Sequence, residues 1–91
     1  MALNPDDPTV RWAQFGRQVE LFLEGDIGSF LVERARQQIE EATKKLKSAD
    51  PFKPEEIIAY QSQIKVAESI IGWLGEVIAA GHSAIEELKN A

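Results

Sequence analysis

The sequence predicts an all-α fold: a short N-terminal helix followed by a long antiparallel helical hairpin with coiled-coil-like packing. Three observations carry this. Isoleucine recurs every seven residues at Ile57, Ile64, Ile71, Ile78 and Ile85, the sustained heptad of a helix that packs along its length. A second stripe, Ile27, Phe30, Leu31, Ala35, Ile39, Ala42 and Leu46, follows the three-and-four spacing of an amphipathic helix. Between the two, Asp50-Pro51-Phe52-Lys53-Pro54 sets two prolines three apart, which a helix interior cannot hold because each lacks an N–H and clashes with the preceding turn.

The elements follow in order. Residues 1–7 read as a loose polar leader. Asp7-Pro8 is an N-cap followed by proline at the first helical position, and Trp12, Phe15, Val19, Phe22 and Leu23 then keep helical spacing. The first helix is predicted over 8–23. Gly25 is placed to end it in the left-handed region, and Asp26 to cap the next helix, predicted over 26–48. On that helix Lys44, Lys45 and Lys47 crowd the last turn, where the helix dipole favours positive charge. Glu40 with Lys44 and Glu41 with Lys45 stand four apart, pairs that contribute only tenths of a kcal/mol. Phe52 is expected to plug the end of the hairpin.

The third helix is predicted over 54–89. Three residues after each heptad isoleucine come Tyr60, Ala67, Leu74, Gly81 and Leu88, and Ile70, Val77 and Ala84 each precede one, widening the stripe. Such a width suits packing against more than one helix. Two readings of Gly81-His82-Ser83 stay open. The heptad continues unshifted through Ile85 and Leu88, yet Ser83 with Glu86 makes a capping-box pattern that would start a new helix. Gly72, Gly75 and Gly81 each cost roughly 1 kcal/mol in a helix, so their presence predicts close approach by another helix or a bulky side chain.

Length adds a constraint. At ~1.5 Å per residue the second helix spans roughly 35 Å and the third roughly 54 Å. A hairpin therefore leaves the C-terminal third of the longer helix unpaired, with Val77, Ile78, Ile85 and Leu88 bare. Either the first helix folds back over them or a second subunit does. The preferred reading takes both, a three-helix protomer with apolar surface left for self-association. Trp73, Ile78, Ile85 and Leu88 are the interface residues this reading selects; Trp73 enters because tryptophan is enriched among interface anchors.

Composition narrows the function. The chain has 91 residues, 44% hydrophobic and 27% charged, a single small domain rather than a disordered tail. Its net charge of −5 at pH 7 argues against nucleic acid. There is no cysteine, hence no disulfide framework or thiolate zinc site. The N-terminus has no basic region and no apolar signal core, which predicts no export, and no apolar run reaches the ~20 residues of a membrane span.

Nothing in the sequence assembles a catalytic, cofactor or metal site. His82 is the one histidine, and Ser83, its neighbour, points elsewhere on a helix. A Ser-His pair without a third, orienting group is not a nucleophilic site. Glu40-Glu41, Glu55-Glu56 and Glu86-Glu87 diverge in the same way, and no Glu-x-x-His motif of a di-iron bundle occurs. The basic residues Arg34, Arg36, Lys44, Lys45 and Lys47 are interleaved with Glu33, Glu40 and Glu41 and lack an aromatic stacking platform.

Three stretches, GDIGSFLVERA at 25–35, ADP at 49–51 and WLGEVIAAGHSAIEEL at 73–88, together resemble small uncharacterised proteins encoded among the structural genes of tailed bacteriophages. The similarity runs from Gly25 to Leu88, about two thirds of the chain. It implies a phage origin and a virion or assembly role, in the host cytoplasm or the particle, and carries no site residues with it. The expected function is a non-enzymatic, self-associating helical assembly or interaction protein, with another phage or host protein as a further partner. The alternative is a phage-encoded acidic inhibitor that binds a host protein.

Overall fold

The computed structural model describes residues 4–90 and is all-helical: α1 (Pro8–Glu24), α2 (Asp26–Lys47) and α3 (Pro54–Lys89). The helices pack against each other in two units. One holds the chain up to Ser29 together with the part of α3 from Trp73 onward; the other is Phe30–Gly72.

Residues 1–3 of the leader lie outside the described residues, and in the first unit the leader is described from Asn4. Its side chain accepts a hydrogen bond from the Asp6 N–H at 3.0 Å and its carbonyl one from the Asp7 N–H at 3.0 Å, an Asx-type turn rather than loose chain. Asp7 then caps α1, accepting from the Thr9 N–H at 2.9 Å, with Pro8 at the first helical position.

The α1–α2 connection differs from the sequence reading. Gly25 has φ −77° and ψ 165°, extended and not left-handed. It serves both helices: its N–H donates back to the carbonyls of Leu21 and Phe22, and its carbonyl accepts from Ser29 at 2.9 Å. Asp26 is therefore the first residue of α2 rather than its cap, and its charge faces the dipole of that turn. The glycine that the turn requires is Gly28. A Cβ there would overlap the Phe22 carbonyl and stand 2.9 Å from the Leu23 Cα.

Still in this unit, α1 and the C-terminal half of α3 touch backbone to backbone. A Cβ on Gly16 would lie 2.7 Å from the Gly81 Cα, and one on Gly81 would lie 2.8 Å from the Gly16 Cα. Val10, Val19 and Ala84 are buried around this crossing. Only residues without bulk allow two helix backbones so close, and their contact gains dispersion along both chains. Gly81 thus sits inside an unbroken helix; Ser83 and Glu86 start nothing new.

In the second unit α2 ends at Lys47, one residue short of the sequence estimate. Asp50 holds the following turn, accepting from the Phe52 N–H at 2.9 Å through its side chain and from the Lys53 N–H at 3.0 Å through its carbonyl. Pro51 occupies the turn position its fixed φ suits. Phe52 does not plug anything: it is 90% exposed, because the turn is already closed by Asp50 and its ring projects from the tip. Across the unit Gln38 donates to Gln63 at 3.2 Å, the Lys45 ammonium lies 6.0 Å from the Tyr60 ring centre, and Ala42 and Ala67 are buried.

Candidate functional site

The buried residues are small. Val10, Val19 and Ala84 are buried in one unit and Ala42 and Ala67 in the other, and no large side chain is fully buried among the described residues. Close helix contact through alanine and glycine leaves the bulky members of each stripe at the flanks. The candidate sites are therefore surfaces, and each unit carries one.

In the Phe30–Gly72 unit an open groove of about 700 Å³ runs between α2 and α3. Ala35 and Ala67 lie in it, with Leu31, Val66 and Ile70 around them. These three are 50%, 62% and 46% exposed. Arg34 is the one charged residue in the lining; Gln38, Ser62 and Gln63 supply the polar atoms.

In the other unit Trp12 and Phe15 project from α1 with ring centres 6.2 Å apart. They line a shallow depression with Pro8, Arg11, Gln14 and Gln18. All six lie at the start of one helix, so nothing encloses a ligand there. On the opposite edge of α1, Glu20 meets His82 of α3, Oε1 to Nε2 at 2.5 Å. Thr9 and Glu87 make a second, longer contact at 3.5 Å. His82 is thereby a tie between helices at an exposed edge, and among the described residues no hydroxyl or second carboxylate is bonded to it.

The four residues selected from the sequence divide. Trp73 is 63% exposed. Ile78, Ile85 and Leu88 are half-buried, and so is Val77; α1 folds back on this part of α3, as the preferred reading of the sequence has it, and touches it through Gly16 and Gly81. Gly72 and Gly75 meet nothing within 4 Å, so only Gly81 of the three glycines marks a close approach.

Sequence reasoning missed Gly16, Gly28, the Glu20–His82 contact and the groove. The groove had a signal: Val66 and Ile70 stand four apart on α3, on the flank of the isoleucine heptad. The Glu20–His82 contact had none, since it joins residues 62 apart.

Among the described residues no three or more histidine, aspartate or glutamate side chains come together as a metal site. No helix among them is long and apolar enough to cross a membrane. The class these features define is an all-helical protein with uncovered apolar surface. No family model matches the chain, and no curated protein or solved structure is significantly similar to it.

Proposed function

We propose that this chain is a non-enzymatic helical assembly protein that associates with itself, with α2 and α3 forming an antiparallel hairpin of coiled-coil-like packing. The observation that carries the reading is the inversion of size between core and surface. Val10, Val19, Ala42, Ala67 and Ala84 are buried, while Leu31, Val66 and Ile70 stand about half or more exposed. Scattered apolar residues on a surface need no explanation, but a contiguous set lining one groove is the mark of an interaction site. Complete burial of one such side chain contributes about 1.5–3 kcal/mol. Several together offset the cost of association, which runs to at least ~4 kcal/mol.

Trp73 remains at the interface in this reading as an anchor, and Ile78, Ile85 and Leu88 contribute only the surface that α1 leaves them. A phage origin and an assembly or virion role belong to this proposal on the resemblance read from the sequence at residues 25–35, 49–51 and 73–88 alone. Size-exclusion chromatography with light scattering across a range of concentrations tests the reading. A mass that is a multiple of 10.1 kDa is the expected result. A strict monomer at every concentration overturns it, and if that monomer captures one host protein the acidic-inhibitor alternative takes its place.

A further inference from the structure

The groove between α2 and α3 has an edge on which both signs of charge stand. Arg34 and Glu41 are both exposed on α2, and neither takes part in an ion pair among the described residues. They stand seven residues apart, about two helical turns or ~10.5 Å, and therefore on the same edge of the helix. Gln38 lies between them, in the groove lining with Arg34. Lys45 continues the same edge, above the Tyr60 ring.

We propose that a second copy docks on this face with its α2 antiparallel to the first, the two-fold axis passing by Gln38. Arg34 then meets Glu41 of the second copy, and Glu41 meets Arg34 of the second copy, so symmetry makes the contact twice. Leu31 falls against the aliphatic stem of Lys45 from the second copy, whose ammonium stays in water. A parallel arrangement in register sets Arg34 on Arg34 and Glu41 on Glu41, and like charge excludes it. Gln38, bonded to Gln63 at 3.2 Å, is a polar residue at the axis, the kind that fixes register.

The charge of the lining also suits a second copy. Two chains of net charge −5 repel on approach, and the groove lining contains no acid. Leu31, Val66 and Ile70 supply the apolar part. An isologous contact of this kind closes at two copies.

This inference rests on the self-association reading, and charge reversal separates the two. Sedimentation equilibrium is run on the full chain and on four variants, with helicity checked by circular dichroism. The wild type is expected at twice the 10.1 kDa chain mass. Arg34→Glu alone and Glu41→Arg alone should each raise the dimer dissociation constant by roughly tenfold or more, the range of close interfacial charge pairs. The combined R34E/E41R chain should return to within about threefold of wild type, since the reversed pairs re-form. Val66→Arg, at a position 62% exposed, should leave a folded monomer. Failure of the combined variant to recover overturns the register. A dimer that survives Val66→Arg, or a mass above two copies, overturns this face while self-association stands. A wild-type monomer removes both.

Discussion

Gly16 on α1 and Gly81 on α3 meet so closely that either one's missing Cβ would fall within 2.8 Å of the other's Cα. Neither helix can rotate a larger residue into that position without separating. The crossing sets where Val10, Val19 and Ala84 are buried, and it makes the two glycines the most sensitive positions of their unit.

Gly81→Ala is the first test. The methyl group clashes with backbone, which has no rotamer to escape into, so overpacking should cost about 1–3 kcal/mol. Part of that is offset by the better helix propensity of alanine, up to ~1 kcal/mol. Urea unfolding at equilibrium reads the net loss, and Gly16→Ala should behave alike. Unchanged midpoints in both would mean the helices do not cross here.

Gly72→Ala and Gly75→Ala should do the opposite. These glycines are in the same helix, but nothing lies within 4 Å of either missing Cβ. Each substitution should stabilise by roughly 0.5–1 kcal/mol through helix propensity alone. A rise in thermal midpoint for these two beside a fall for Gly81→Ala is the signature sought; a loss at all three would show that α3 is covered on every side.

Phe52→Ala should change stability by less than about 0.5 kcal/mol, the usual range for a surface substitution. A phenylalanine plugging a core would cost about 3–5 kcal/mol. The gap between these figures exceeds the error of denaturant titration, so one unfolding curve decides whether the ring is at the turn's tip, 90% exposed, or inserted.

Asp7→Ala removes the side chain that accepts the Thr9 N–H at 2.9 Å. Loss of this cap should cost about 1 kcal/mol, and Asp7→Asn, which keeps an accepting oxygen, should recover most of it. Equal losses in the two variants would assign the effect to charge rather than to capping.

The Glu20–His82 contact calls for a double-mutant cycle with Glu20→Ala and His82→Ala. With the histidine side chain 62% exposed, the coupling should stay below ~1 kcal/mol. The exposed i,i+3 pairs such as Arg17–Glu20 at 3.3 Å belong to the same weak class. A coupling above ~2 kcal/mol would place the pair in a far drier setting than the structure gives it.

The sequence by itself determined the helices. Asp7-Pro8 starts α1 because an accepting side chain and a preset φ act within one turn of chain. Pro51 and Pro54 separate α2 from α3 because a missing N–H is a local defect. The isoleucine heptad marks the less exposed side of α3, Ile57 to Ile85 all being half-buried, since side-chain direction follows from residue spacing alone. These are short-range effects, and neighbours in the chain carry them.

Tertiary structure decided which of those surfaces is covered. Gly72, Gly75 and Gly81 look alike in sequence, and only Gly81 meets a partner, because the partner is Gly16, 65 positions away. Gly25 and Gly28 divide the turn between them in a way no local rule assigns: Gly25 stays extended, and Gly28 is the position with no room for a side chain. The groove of Leu31, Val66 and Ile70 exists because Ala35 and Ala67, not larger residues, lie between them. Coverage depends on distances between segments remote in the chain, and helical periodicity holds no information about those.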